Sequence, residues 1–112
     1  MKKLVTIELG KKSFPLSPNI DLILEMEEEF GSLIAFINRL QNNKWKMSEM
    51  MIFLHMALAH NGFNIDFKEM SNQAIETGMV NIIPELSKLL GLVLTGRLEY
   101  APLHVVRSET RH

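Results

Sequence analysis

The side chains of this 112-residue chain that are able to do chemistry are few and scattered. No cysteine is present, which removes disulfides, thiolate metal sites and cysteine nucleophiles together and is compatible with a reducing compartment. His55 and His60 form the only close histidine pair. A zinc helix sets its two histidines four residues apart so that they share a face, and a separation of five turns the rings away from each other. The positions fit a helix histidine with a local hydrogen bond at His55 and a charge at a helix C-terminus at His60. Glu25, Glu27, Glu28 and Glu29 make the densest charge run. Paired carboxylates do acid–base work when burial drives their pKa values apart. This run falls instead on the polar side of an expected surface helix, where solvated charge is the ordinary state and contact with a basic partner the functional alternative. Ser13, Ser32 and Ser48 fit turns and helix caps, and none stands in the Gly-x-Ser-x-Gly setting of an exposed nucleophile. The glycines at 10, 31, 62, 78, 91 and 96 are dispersed and form no phosphate loop or dinucleotide fingerprint. The residues thus name no catalytic centre, no metal site and no cofactor.

The elements that would position these side chains are legible from periodicity. Val5, Ile7 and Leu9 alternate with Thr6 and Glu8, the period of a half-buried strand, and Gly10-Lys11-Lys12 supplies a turn into Ser13-Phe14-Pro15-Leu16. The expected result is a β-hairpin whose second strand is short and lies at an edge, because Pro15 has no amide to donate. Beyond Ser17 the pattern becomes helical. A first helix is expected over about 19–30, ended by Gly31, and a second over 32–42, capped by Ser32. A third is expected over 48–61, with Ser48 as its cap and Gly62 as a left-handed stop. A fourth follows from Asp66 to near Gly78. A fifth begins around Asn81, with Pro84 in its first turn, and ends at Thr95-Gly96. The fold class is therefore mainly α, a short N-terminal β-hairpin followed by a compact bundle of about five helices. The chain is expected to form one domain over 1–112: hairpin 1–17, bundle 18–96, and 97–112 a tail or partner-binding arm.

A formal net charge of −1 sets up no field that would attract a polyanion. A DNA-reading helix-turn-helix fits poorly, since no Lys or Arg occurs between Met47 and Asn61. Lys44-Trp45-Lys46, the one basic-aromatic cluster, reads as a loop anchor. Neither nucleic acid nor membrane is an expected partner: the apolar runs are interrupted by His55, Pro84, Glu85 and Lys88 well short of a span, and Glu8 and Gly10 break up any signal-like stretch. Eight methionines are present, with Met47, Met50, Met51 and Met56 at or near the third helix. That helix is apolar nearly all round, which makes it either the central core helix or one face of an oligomer. Flexible thioethers fill irregular cores and also suit surfaces that accept varied partners. Met47, Met50, Met51, Phe53 and Leu54 are accordingly the candidate apolar partner-binding residues, with Glu25, Glu28 and Glu29 as a candidate acidic rim.

Leu9-Gly10 followed by Phe14-Pro15-Leu16, then Leu24-Glu25, Gly31-Ser32-Leu33, Phe36, Arg39-Leu40, and Leu58 with Gly62 set out an order of features. Over residues 5 to 95 this order resembles a family of small tail assembly proteins of tailed phages and gene transfer agents. The family is grouped as tail assembly chaperones and sometimes labelled tail tube proteins. Asn61-Gly62 departs from the small residue and glycine expected at the end of the third helix, and Asn42-Asn43-Lys44-Trp45 is more polar than the family pattern suggests. The matched residues are determinants of fold and transfer no functional site. The resemblance implies a non-enzymatic protein of the bacterial host cytoplasm that binds tape-measure or tail tube subunits during assembly. A structural tail component and a small helical DNA-binding regulator are the alternatives, and self-association into a homo-oligomer is compatible with each.

Overall fold

The structure, a computed structural model, describes residues 4–96, and the tail or partner-binding arm expected at 97–112 lies outside the described residues. Strands β1 (Val5–Leu9) and β2 (Lys12–Leu16) form a two-stranded antiparallel hairpin, followed by α1 (Ile20–Phe30), α2 (Leu33–Gln41), α3 (Met47–Ala59), α4 (Phe67–Thr77) and α5 (Met79–Thr95). The expected class, a hairpin followed by five helices, is the observed one.

The hairpin register pairs Val5 with Leu16, Ile7 with Phe14 and Leu9 with Lys12. Val5, Ile7, Leu9, Phe14 and Leu16 are all buried while their strand neighbours face out. The two-residue loop has Gly10 at φ 63, the positive value that the first loop residue of a primed turn requires. A loop of two residues makes Leu9–Lys12 a hydrogen-bonded pair, and alternation then makes Thr6–Pro15 a non-bonded one. The nitrogen of Pro15 therefore points away from β1, where its missing hydrogen breaks no ladder bond. The two strands are equal in length, so Pro15 marks the edge without shortening β2. Two strands alone would be marginal, and the hairpin gains its support by packing β1 on α4 and α5 and β2 on α3. The amide of Gly10 also donates to Thr77 Oγ1 at 3.0 Å, tying the turn to the end of α4.

Helices α1, α2 and α4 each start on a side-chain acceptor. Asn19 caps α1 by accepting from Leu22 N, Ser32 caps α2 by accepting from Ala35 N, and Asp66 caps α4 by accepting from Glu69 N. The expected cap of α3 is displaced. Lys46 occupies the N-cap position and Ser48 lies inside the first turn, because the Glu49 carboxylate reaches back to accept from Lys46 N at 3.0 Å. That is half of a capping box; lysine, which has no acceptor, cannot supply the other half. Helix α5 starts earlier than expected, at Met79, so Pro84 sits inside the helix and not in its first turn. Gly78, at φ 99, is the hinge between α4 and α5, whose axes differ by 112°. Among the described residues no single helix is long and apolar enough to cross a membrane.

Helix α3 is the centre of the core. Met50, Met51, Phe53, Leu54, Met56, Ala57 and Leu58 are all buried on it, and it packs against α1, α4 and β2. The apolar circumference seen in the sequence is thus met by protein on several sides. Phe36 stacks on Phe30 with centroids 4.6 Å apart and meets Phe53 edge-on at 6.3 Å, joining α1, α2 and α3 through aromatic contact. Asn61 closes the other end. Its amide accepts from Ser17 N at 3.0 Å and donates to Ser17 O at 3.1 Å and Ala57 O at 2.8 Å, and Asn19 Nδ2 donates to His60 O. Asn61 is therefore the bolt between the hairpin exit and the end of α3.

Candidate functional site

The polar link between α2 and α3 helps to build an apolar concavity. Asn43 adopts φ 55, a left-handed conformation that asparagine tolerates, and lets the chain reverse after α2. Arg39 fixes the reversal from inside. Its Nη1 and Nη2 each lie 3.0 Å from a Glu49 carboxylate oxygen, Nη1 also donates to Lys44 O at 3.2 Å, and the guanidinium lies 5.3 Å from the Phe36 ring centroid. Such a fork-to-fork pair combines charge with fixed geometry. Hydrogen bonding from Arg39 is the main cause that holds the Glu49 carboxyl below its ordinary pKa, and the same bond raises that of Arg39.

This clamp sets Trp45 at the mouth of a pocket of about 160 Å³. Leu40, Trp45, Met50 and Phe53 line one side, Ile83, Leu86 and Leu90 of α5 the other, with Asn43 and Ser87 as the polar members. Ser87 supplies its one hydroxyl, and no charged or metal-ligating side chain lines it. Its chemistry is the desolvation of an apolar group, and its size admits a single aromatic or branched aliphatic side chain. A second, wider concavity, about 380 Å³ between the outer face of β1 and the α4–α5 corner, is lined by Thr6, Glu8, Thr77, Asn81 and Glu85. Glu85 there pairs with Lys88 at 3.3 Å.

The residues singled out from sequence are distributed differently from the expectation. Met50, Met51, Phe53 and Leu54 are buried, and of these Met50 and Phe53 also line the Trp45 pocket. Met47, at the start of α3, is 48 % exposed. Glu28 and Glu29 are exposed with no ion-pair partner among the described residues, and Glu25 pairs with His60 across α1 and α3. Met47 and the glutamates are not gathered with the four interior residues into one surface. The accessible apolar side chains lie elsewhere: Ile20 and Leu24 on α1, Ile34 on α2, Ile75 on α4 and Val80 on α5. His55 donates from Nε2 to Ile65 O at 2.8 Å and meets Phe67 edge-on, the local hydrogen bond expected of it. Among the described residues no three metal-ligating side chains converge. The pocket itself escaped the sequence reading. Its one-dimensional traces are Met50 and Phe53, already singled out on the third helix, and the spacing of Ile83, Leu86 and Leu90, which marks an apolar stripe on α5 but says nothing of Trp45 opposite.

A family model described as phage tail tube protein, GTA-gp10, matches residues 3–96. The chain belongs to that family. The matched span coincides with the hairpin and all five helices, so membership rests on the whole folded body and not on a short motif. No curated protein and no solved structure matches the chain. The GTA-gp10 tail tube family thus gives a phage or gene transfer agent tail as the setting in which the pocket, the acidic α1 face and the dispersed apolar side chains are to be understood.

Proposed function

We infer that the protein is a non-enzymatic tail assembly chaperone of the host cytoplasm, binding tape-measure or tail tube subunits while a tail is built. The observation that carries this reading is the dispersal of the accessible apolar side chains. A permanent subunit contact is usually a large, contiguous and hydrophobic face. Here Ile20 and Leu24, Ile34, Ile75 and Val80 stand on four different helices, interleaved with charge on α1. That pattern suits several small transient contacts. Asp21, Glu25, Glu28 and Glu29, with no Lys or Arg on α1, favour a basic partner segment and faster encounter at low salt.

A structural subunit retained in the tail is the second reading, favoured by the family's own description as a tail tube protein. Co-expression with the tape-measure and tail tube proteins of the same tail gene cluster separates the two. A chaperone co-purifies with one of them and is missing from purified particles, whereas a structural subunit remains in the particles at fixed stoichiometry. Failure to bind any tail protein, combined with duplex DNA binding that falls steeply as salt rises, would sink both.

A further inference from the structure

The Trp45 pocket carries positive charge beside its mouth. Lys44 and Lys46 stand either side of Trp45 in the chain, both are exposed, and neither ammonium joins an ion pair among the described residues. Glu49, the carboxylate nearest to them in sequence, is taken up by Arg39. The pocket, at about 160 Å³, has room for one branched aliphatic group. The occupant that fits is therefore an exposed apolar side chain set beside carboxylates. The chain presents such a side chain itself. Leu24 is 56 % exposed on α1, with Asp21 three residues before it and Glu28 four residues after it, spacings that place all three on one face of the helix. Asp21 and Glu28 are exposed and have no ion-pair partner among the described residues. Ile34 and Ile75, at least as exposed as Leu24, have no carboxylate at the three- or four-residue spacing that shares a helix face.

We propose that Leu24 of one copy seats in the Trp45 pocket of a second copy, with Asp21 and Glu28 facing Lys44 and Lys46, so that the chain associates head to tail. No residue of α1 lines the pocket, and α1 is packed against α2 and α3, so the contact forms between copies. Charge and size agree on this occupant. Two carboxylates meet two ammoniums around one desolvated aliphatic group, an arrangement in which charge sets the orientation and the buried centre supplies the affinity. The two surfaces differ, so the contact is heterologous, and every added copy leaves one Leu24 and one pocket free for the next. A single anchored side chain makes a small interface, so the association is weak and depends on concentration. The inference goes beyond the tail-assembly reading: it involves no tail protein, and its failure leaves that reading standing.

Two variants of the full chain separate the two surfaces. Leu24→Glu keeps helix propensity but puts a charge where the pocket must desolvate the side chain, and Lys44→Glu with Lys46→Glu reverses the charge beside the mouth; all three positions are exposed. Sedimentation equilibrium of the unaltered chain is expected to show a weight-average mass that rises about twofold between ~10 μM and ~1 mM. The emission of Trp45, the only tryptophan, moves to the blue in step. Each variant alone is expected to stay monomeric over the same range. Mixed in equal amounts, the Leu24→Glu protein still offers a pocket and the doubly reversed protein still offers Leu24, so the mixture forms a dimer and nothing larger. An unaltered chain that remains monomeric at ~1 mM overturns the proposal. Association that survives Leu24→Glu overturns it by placing the contact elsewhere. A mixture that stays monomeric overturns it too, because Leu24 then meets a surface other than the pocket. Far-ultraviolet dichroism checks the helices of each variant, and should Leu24→Glu lose them, Leu24→Ala carries the same comparison.

Discussion

At the scale of single residues, the strongest polar contact is the Arg39–Glu49 fork, which holds the α2–α3 link and so the orientation of Trp45. Glu49 is held below its ordinary value of 4.5 when folded. A depressed carboxylate pKa contributes stability that is fully present above the unfolded value and disappears as pH falls through the folded value. Glu49→Gln is therefore expected to lower stability at neutral pH and to flatten its loss below pH 4.5, read from urea midpoints across an acid titration. The Arg39 and Glu49 side chains are 37 % and 18 % exposed, which keeps the effect small and salt-sensitive. The methionines offer a second residue-scale test. Met47 is exposed while Met26, Met50, Met51, Met56 and Met70 are buried. Mild peroxide is expected to oxidise Met47 well ahead of those five, measured by peptide mass spectrometry, because sulfoxide formation follows exposure. Equal oxidation of Met50 and Met47 would show that α3 is less enclosed than its packing indicates.

At the scale of elements, the hairpin shows how one residue manages an edge. The outward nitrogen of Pro15 withholds a donor from any strand that approaches β2, one of the ordinary defences of an edge strand. Pro15→Val restores that donor and adds strand propensity without disturbing the β1 ladder. The expected outcome is self-association rising with concentration, measured by light scattering, with far-ultraviolet dichroism unchanged at low concentration. A monodisperse variant would mean that another feature protects this edge. Helix α3 shows the complementary case. Its apolar residues do not fall on one stripe, and an all-round apolar helix is stable only when neighbours enclose it; α1, α4 and the hairpin do so.

At the scale of the whole molecule, the core is one cluster drawn from the hairpin and every helix. Phe53 stands in it without solvent exposure and touches Phe36. Phe53→Ala is expected to cost about 3–5 kcal/mol by leaving a cavity, against a total of ~5–15 kcal/mol for an ordinary domain. The fall in chemical-denaturation midpoint checks it, and a loss under about 1 kcal/mol would mean that the core collapses into the space. The same enclosure accounts for the burial of Met50, Met51, Phe53 and Leu54. Methionine content and apolar length at α3 are identical in a sequence whether the helix faces a partner or its own neighbours, and only the arrangement of α1, α4 and the hairpin distinguishes the two.

What the sequence determined by itself is what depends on near neighbours along the chain. The alternation of Val5, Ile7 and Leu9, the cap at Ser32, the helix starts near Asn19 and Asp66, and the stop at Gly31 all act within a few residues, so their signals survive in one dimension. Even there, competition between nearby groups misled at Ser48, where the Glu49 carboxylate claimed the Lys46 amide, and at Pro84, where α5 begins earlier than its proline suggests. The tertiary structure alone decided which apolar surface is spent on the core and which remains. It brought Trp45 against Ile83 and Leu86, Asn61 against Ser17, and His60 against Glu25. These pairs are some 35 to 45 residues apart, and no local propensity encodes such contacts, because they arise when several amphipathic elements bury their faces together.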